Sequence, residues 1–288
     1  MILVTGASGQ LGRRIIDQLV VRSGGTASIA ASVRNPGRVV DLAERGISVR
    51  PGDFDQPDEL AAAFAGIDKL VLVSTDGPQA SRIARHRNAI SAAKAAGVKH
   101  ILYTSFIDVA ADSPAEFAAV HRSTEADLAA SGLRFTALRN PLYADLLPLT
   151  VASALHGGAF QLPAGEGRAS FVSRAELAEA TAAAALAPAL LRNVYELSGE
   201  ATHDYYEVAA AVAKVSGRAV RYEPIGEEDY AAALTNAGSP VWLARAMASM
   251  YAAVAVGKFD RVTSDFAALV GHPPRPLACL ARELFGKR

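Results

Sequence analysis

The chain has 288 residues, of which 51% are hydrophobic and 20% charged, and its formal net charge is zero. That length and apolar content fit one large α/β domain or two smaller ones, and the neutral charge disfavours nucleic acid or an anionic membrane as a partner. A single cysteine, Cys279, excludes a disulfide framework and a cysteine metal site and suits a reducing compartment. We expect a cytoplasmic protein, because a first strand at Ile2 leaves no room for a signal peptide and no apolar run reaches the ~20 residues that span a bilayer.

The N-terminal segment has the pattern of a strand, a glycine-rich turn and a helix. A short apolar run, Ile2 to Val4, precedes glycines at positions 6, 9 and 12, and apolar residues then recur at helical spacing. Unpaired N–H groups at a helix start attract a pyrophosphate, and glycines let the backbone approach it. We therefore interpret this segment as a dinucleotide site, the alternative being a turn without a ligand. The predicted contacts are Gly6, Ala7, Ser8, Gly9, Gln10, Leu11 and Gly12.

Strands and helices are predicted to alternate along the first half of the chain. The predicted strands cover residues 2–4, 27–33, 47–50, 69–74, 98–105 and 133–138. The later helices between them cover residues 39–45, 55–66, 78–96 and 114–131. This alternation predicts an α/β fold with a doubly wound parallel sheet.

The alternation becomes irregular after the sixth strand. Residues 142–155 and 201–215 have helical patterns, and a further sheet strand is predicted at 194–197. We predict a Rossmann domain over residues 1–150, to which a segment at about 170–200 returns. Residues 151–288 are predicted to form a smaller α/β domain.

Arg34 follows the second predicted strand, where a dinucleotide-binding fold reads the ribose 2′-position. An acidic residue there accepts from a 2′-hydroxyl and repels a 2′-phosphate, whereas a guanidinium offers a planar fork of donors to phosphate. Arg38 lies one helical turn further on. The sequence thus favours NADP(H) over NAD(H), and the alternative for Arg34 is a solvated surface arginine.

Polar residues follow the third, fourth and fifth predicted strands. Ligands bind at the carboxyl edge of an open parallel sheet. Asp53 is expected to accept from the adenine amino group with Phe54 packed nearby, and the alternative for Asp53 is a turn-forming aspartate. The other expected cofactor contacts at this edge are Val73, Ser74, Thr75, Thr104 and Ser105.

Motifs spread over nearly the whole chain resemble the NmrA-like family of atypical short-chain dehydrogenase/reductases. They are residues 5–12 (TGASGQLG), 33–36 (VRNP), 86–88 (HRN), 92–97 (AAKAAG), 103–105 (YTS), 138–140 (LRN), 194–197 (VYEL) and 271–273 (GHP). Within the family, the resemblance is greatest to bacterial NADPH:quinone oxidoreductases. It implies a Rossmann domain, NADPH as the cofactor and a small C-terminal domain that takes part in substrate binding.

The resemblance also exposes a departure in the catalytic residues. Relatives often use a serine with Tyr-x-x-x-Lys; Ser105 stands where the serine would, but residues 121–125 are His-Arg-Ser-Thr-Glu. Hydride addition to a simple ketone forms an alkoxide that needs a positioned proton donor. Reduction of a quinone forms a phenolate-like oxygen with a conjugate acid of pKa ~10, which water can protonate. The sequence therefore predicts a flavin-free reductase of quinones or similar flat acceptors.

Three residues are candidates for direct roles in catalysis. The related reductases imply that the segment after the sixth strand lines the nicotinamide and the substrate, so Asn140 is expected to hydrogen-bond a quinone oxygen and Tyr143 to stack or donate. Their alternatives are a turn asparagine and a packing tyrosine. His121 has a side chain suited to proton transfer, although a satisfied helix histidine is its commoner role.

Two other functions fit the same residues. A non-catalytic, NADP(H)-sensing regulator of the NmrA-like type would also lack the tyrosine–lysine pair, and a carbonyl or ene reductase could use His121 or Tyr143 as the acid. The histidines show no metal-ligand spacing, so no metal is expected. The sequence leaves the oligomeric state open, with a homodimer as one alternative.

Overall fold

The computed structural model describes residues 1–286, and its first half alternates strands with helices. The strands of this half are β1 (Ile2–Thr5), β2 (Ile29–Val33), β3 (Ser48–Pro51), β4 (Lys69–Leu72), β5 (His100–Phe106) and β6 (Arg134–Asn140). The α-helices are α1 (Gln10–Ser23), α2 (Val40–Glu44), α3 (Pro57–Phe64), α4 (Gln79–Ala95) and α5 (Glu116–Ala130). A 3₁₀ turn, Pro36–Val39, precedes α2.

The second half has shorter strands and more irregular connections. Its strands are β7 (Leu142–Tyr143), β8 (Ala159–Leu162), β9 (Ala169–Val172), β10 (Val194–Glu196), β11 (Thr202–His203) and β12 (Arg221–Pro224). Its α-helices are α6 (Leu147–Thr150), α7 (Ala152–Gly157), α8 (Arg174–Leu186), α9 (Tyr205–Ser216), α10 (Glu227–Asn236), α11 (Val241–Ala255), α12 (Asp265–Val270) and α13 (Leu277–Phe285). No helix in the described part of the chain is long and apolar enough to cross a bilayer.

The central sheet has seven strands in the order β10-β6-β5-β4-β1-β2-β3. The pairs β1–β2, β1–β4, β2–β3 and β4–β5 are parallel. Every residue of β2 is buried, as expected when helices cover both faces of a parallel sheet. The predicted doubly wound α/β fold is confirmed.

Residues 142–155 differ from the helix predicted for them. Leu142 and Tyr143 form β7, which pairs in parallel with Phe171 and Val172 of β9. The helical residues that follow are divided between α6 and α7, with Pro148 inside α6. A helical pattern cannot reveal this pairing, because its partner lies far away in the sequence.

The predicted helix over residues 201–215 begins later than expected. Thr202 and His203 pair with β9 instead, in antiparallel register. The side chain of Asp204 then accepts a 2.8 Å hydrogen bond from the backbone N–H of Glu207 and caps α9. An aspartate at this position satisfies an otherwise unpaired donor, so the helix starts where the cap is.

The chain divides into two structural units. The first contains Met1–Ser105, Val120–Arg139 and Arg174–Tyr195, and the second contains Phe106–Ala119, Asn140–Ser173 and residues 196–286. Aliphatic residues make up most of both cores; the first also contains Phe54, Phe64 and Tyr103, and the second contains a group of aromatic residues that includes Tyr205. The assignment of a cofactor domain and a substrate domain stays a prediction.

Candidate cofactor site and active site

The glycine turn between β1 and α1 is tightly packed. Gly6 has a φ of +61°, a conformation that favours glycine, and its carbonyl oxygen accepts a 2.9 Å hydrogen bond from the N–H of Gly9. A Cβ added to Gly12 would lie 2.8 Å from the carbonyl carbon of Gly6 and closer still to its oxygen. Gly12 is therefore the residue that lets α1 pack against the turn.

The N-terminus of α1 suits an anionic ligand. Gly9 is the N-cap, no side chain caps the first turn, and that turn contains no acidic residue. Unpaired N–H groups carry partial positive charge, so a pyrophosphate fits here. Ser8 and Gln10 are exposed, whereas the side chains of Ala7 and Leu11 are buried. Any contact that Ala7 or Leu11 makes with a phosphate therefore has to use its backbone.

Arg34 comes directly after β2 and is exposed. The next residue, Asn35, caps the following 3₁₀ turn by accepting a 3.0 Å hydrogen bond from the N–H of Gly37. The pKa of the Asp55 carboxyl is lowered, mainly by its hydrogen bond with Arg85. The charge of the nearby Arg34 also contributes to this lowering. The guanidinium is thus placed at a strand end, outside the core, as its predicted role at a 2′-phosphate requires.

Asp53 and Phe54 follow β3. Asp53 Oδ1 accepts a 3.0 Å hydrogen bond from the N–H of Asp55, which is the turn-forming arrangement given above as its alternative role. Phe54 is buried, and its carbonyl oxygen accepts a 2.9 Å hydrogen bond from Asn88 Nδ2. The second oxygen of Asp53 leaves acceptor capacity for an adenine amino group.

The predicted contacts after β4 and β5 lie together. Val73, Ser74 and Thr75 are half-buried, and the N–H of Ser74 donates to Thr104 Oγ1 at 2.9 Å. Thr104 is almost fully buried. Its hydroxyl oxygen therefore supports the loop after β4, a role that the strand-end pattern alone does not reveal.

Ser105 belongs to a hydrogen-bonded group with Glu125 and Arg139. Its hydroxyl donates to Glu125 Oε1 at 2.6 Å, and the Arg139 guanidinium binds both carboxylate oxygens, at 3.0 Å and 2.7 Å. The Arg139 and Glu125 side chains are only 20% and 13% exposed. Because the serine proton is directed at a carboxylate, the hydroxyl does not serve as a donor to a substrate oxygen in this arrangement.

His121 is buried on α5 and lies in a different group of polar side chains. Its Nδ1 is 2.8 Å from the hydroxyl of Tyr103, and its Nε2 is 3.3 Å from a guanidinium nitrogen of Arg82. Arginine can only donate, so Nε2 accepts and Nδ1 carries the proton. Burial, followed by the charge of Arg82, lowers the pKa of His121 well below its usual value. The imidazole is therefore neutral near pH 7.

Asn140 and Tyr143 are brought together by the end of β6 and by β7. Asn140 Nδ2 lies 3.2 Å from the Tyr143 hydroxyl, and the backbone oxygen of Asn140 accepts from the N–H of Ile107 at 2.9 Å. Asn140 Oδ1 is buried and has no hydrogen-bond partner among residues 1–286. A buried unpaired oxygen costs about 1–3 kcal/mol, so this amide is suited to a ligand that completes its hydrogen bonding.

Several residues with roles in this geometry were not assigned by the sequence. Arg82 and His86 lie four residues apart on α4, and His121 and Glu125 are likewise four apart on α5. That spacing puts the two residues of each pair on the same face of their helix. It is the sequence signal from which their proximity could have been predicted. The pairing of Glu125 with Arg139 of β6 has no such local signal. The described residues contain no group of metal-ligating side chains.

Comparison with known proteins gives the family. The NAD(P)H-binding family matches residues 6–188. Quinone oxidoreductase 2 of Escherichia coli is 38% identical over 99% of both chains, and its crystal structure with NADPH gives a TM-score of 0.93 over 99% of this chain and 100% of that one. Triphenylmethane reductase of Citrobacter sp. with NADP(H) gives 0.92 at 34% identity, over 99% and 100% of the two chains. NAD(P)H azoreductase of Xenophilus azovorans is 29% identical over 98% of this chain and 97% of its own. The chain belongs to the NAD(P)H-binding, NmrA-like family that its sequence motifs resemble.

Proposed function

We propose that this protein is an NADPH-dependent oxidoreductase that transfers a hydride to quinones or similar flat, conjugated acceptors without a flavin. Relatives of high similarity are named as reductases of a quinone, azo compounds and triphenylmethane dyes. These acceptors share extended conjugation, in which the added electron pair is delocalised. A shared preference for delocalised acceptors is the simplest account of the three activities.

The observation that carries the proposal is the hydrogen-bonded group of Ser105, Glu125 and Arg139. In a carbonyl reductase, a serine hydroxyl and a tyrosine with a nearby lysine stabilise and protonate an alkoxide. In this protein the hydroxyl donates to a carboxylate, and the acidic Glu125 stands where the lysine would. A reduced quinone needs neither group, because its oxygen is a weak base that water protonates.

The residues of the chain bind and orient, and NADPH supplies the hydride when it is bound. The turn from Gly6 to Gly12 holds the pyrophosphate, and Arg34 holds the 2′-phosphate. Asp53 and Phe54 contact the adenine. The loop of Val73, Ser74 and Thr75 contacts the nicotinamide ribose, and Thr104 and Ser105 are the further cofactor-site residues at this edge. Of these two, Thr104 supports the loop, since its hydroxyl oxygen accepts from the N–H of Ser74.

Asn140 and Tyr143 are proposed to contact the acceptor. The Tyr143 hydroxyl can donate to a quinone oxygen while accepting from Asn140, and the unpaired amide oxygen of Asn140 can accept from a hydroxyl or amide group of a ligand. Positioning of this kind accelerates a reaction by holding the reactants in the productive arrangement.

The test is a flavin-free assay of NADPH oxidation with 1,4-benzoquinone. We expect loss of nicotinamide absorbance and formation of hydroquinone, with no NADPH oxidation when cyclohexanone replaces the quinone. Tight NADPH binding without turnover of any of several quinones would instead support the regulatory alternative. Turnover of cyclohexanone would support a carbonyl reductase.

His121→Asn tests the source of the proton. Loss of a general acid lowers kcat by about 100-fold or more, whereas we expect a change of less than about tenfold, because the buried imidazole is neutral and bonded to Tyr103 and Arg82. The measurement is kcat for benzoquinone reduction, with unfolding followed in parallel. Tyr103→Phe is the matched control, since it removes the other half of the same hydrogen bond. A large loss of kcat in His121→Asn alone would assign the proton to His121.

The cellular setting is part of the proposal. We place this activity in the cytoplasm, because the single cysteine is exposed and unpaired and suits a reducing compartment. Whether the enzyme is a monomer or a homodimer is decided by its sedimentation behaviour at several concentrations.

A further inference from the structure

The loop that follows β4 is bonded to the rest of its unit through its backbone donors. The N–H of Val73 donates to Thr5 Oγ1 at 3.0 Å, and the N–H of Ser74 donates to Thr104 Oγ1 at 2.9 Å. Thr5 and Thr104 are both buried. These two bonds join the loop to β1 on one side and to β5 on the other.

The third donor of the loop, the N–H of Thr75, is bonded to a histidine. His86 Nε2 on α4 accepts it at 3.0 Å. The His86 ring is fully buried, and its Nδ1 lies 2.8 Å from Thr124 Oγ1. The Thr124 hydroxyl itself donates to the carbonyl oxygen of Val120 at 2.8 Å. The Thr124 oxygen is therefore an acceptor for Nδ1–H of His86. Each group thus donates to the next, from the N–H of Thr75 through His86 and Thr124 to the carbonyl oxygen of Val120.

These bonds fix the state of the imidazole. Nε2 must be unprotonated to accept from Thr75, so the ring proton is on Nδ1. A charged imidazolium would present a second N–H to the N–H of Thr75 and break the bond. Burial, followed by the charge of Arg82 one turn earlier on α4, lowers the pKa of His86 to about 3 and keeps the neutral form. The edge of the ring also packs against Tyr103, with centroids 5.5 Å apart.

The use of these donors decides what the loop can bind. Successive N–H groups in a turn form sites for phosphate, but the N–H groups of Val73, Ser74 and Thr75 are all occupied. The loop has only carbonyl and side-chain oxygens left for a ligand. The carbonyl oxygens accept hydrogen bonds from hydroxyl or amide groups and repel phosphate oxygens. The Ser74 and Thr75 hydroxyls can donate or accept, and Thr75 Oγ1 lies 3.3 Å from His86 Nε2.

We propose that His86 is a positioning residue of the cofactor site, which holds the loop of residues 73–75 so that this loop accepts hydrogen bonds from the hydroxyls of the nicotinamide ribose. The proposal rests on NADPH as the cofactor, but not on the identity of the acceptor. It assigns the ribose contacts to a backbone loop held by a buried histidine, in a chain that has His121 and Glu125 at the positions of the tyrosine–lysine pair.

The test compares two ligands in binding experiments that need no turnover. NADPH contains the nicotinamide ribose, whereas adenosine 2′,5′-bisphosphate contains only the adenine half. His86→Phe keeps a ring of similar size but removes the acceptor for Thr75. We expect the Kd for NADPH to rise about tenfold, as the loss of one or two hydrogen bonds predicts, and the Kd for the bisphosphate to stay the same.

His100→Phe is the matched control. His100 is another buried histidine of the same unit, bonded to Thr136 Oγ1 at 3.0 Å, and it begins β5, whereas Thr104 and Ser105 lie near the other end of that strand. We expect similar destabilisation without the difference between ligands. His86→Gln restores an acceptor and should recover part of the NADPH affinity.

Two results would overturn the proposal: an equal loss of affinity for both ligands in His86→Phe, or the same ligand difference in His100→Phe. If His86→Phe does not fold, Thr124→Val provides the same comparison, because it removes the partner that orients the ring at nearly unchanged volume. Absence of benzoquinone turnover together with the expected ligand difference would refute the proposed acceptor and leave the role of His86 intact.

Discussion

Gly12→Ala is expected to destabilise the fold by about 3 kcal/mol and to abolish NADPH binding. The added Cβ would overlap with the carbonyl group of Gly6, which is backbone and cannot rotate away. Relief of this overlap requires α1 to move off the turn, and the uncapped N–H groups at the start of α1 would move with it. The measurements are chemical unfolding and titration with NADPH.

The control for this substitution is Gly25→Ala. Gly25 is exposed in the connection after α1, has no positive φ, and has no heavy atom within 4 Å of the position of an added Cβ. We expect its stability to change by less than about 0.5 kcal/mol and its NADPH affinity to remain the same. If Gly12→Ala behaved like Gly25→Ala, the close packing of α1 on the turn would not be a requirement of the fold.

Arg34→Ala is expected to raise the Kd for NADPH about 100-fold and to change the Kd for NADH by less than about threefold. Hydrogen bonds to charged groups contribute about 1.5–3 kcal/mol, which is the size of this effect, and only NADPH has the 2′-phosphate that receives them. Isothermal titration with each nucleotide measures the two values. An equal loss of affinity for both would refute the phosphate role.

Two further variants separate charge from geometry at this position. Arg34→Lys keeps the positive charge but loses the planar fork of donors, so we expect an intermediate affinity for NADPH. Arg38→Ala removes an exposed arginine from the 3₁₀ turn that follows, four residues beyond Arg34. We expect a smaller effect from it, since it lies further from the end of β2.

The fold of the first half follows from local sequence patterns. The apolar run of β2 ends at Val33 as predicted, and the glycine at 97 follows the end of α4 within two residues. The helix predicted from Leu142 onward was wrong at its start, because β7 is defined by its pairing with Phe171 and Val172 rather than by its own sequence pattern. Short strands whose partners are distant in sequence lack a periodic signal.

The candidate site shows the same division between local and distant information. The glycine turn and Arg34 are readable from the sequence, because their functions depend on neighbouring residues. The hydrogen bonds from Ser105 to Glu125 and from Thr75 to His86 join separate elements, so they emerge only when the chain is folded. The sequence showed that the tyrosine–lysine pair is missing but could not show that Glu125 pairs with Arg139.

The ion pair of Glu125 with Arg139 limits how readily this site can change into that of a carbonyl reductase. Glu125→Lys would place two cations against each other in a largely buried position, where the carboxylate now accepts from two of the three guanidinium nitrogens of Arg139. The change would also remove the acceptor of the Ser105 proton. A change toward the tyrosine–lysine chemistry therefore requires the loss of Arg139 first, which leaves the largely buried Glu125 carboxylate without its ion pair. We expect such an intermediate protein to be less stable than either the quinone reductase or the carbonyl reductase.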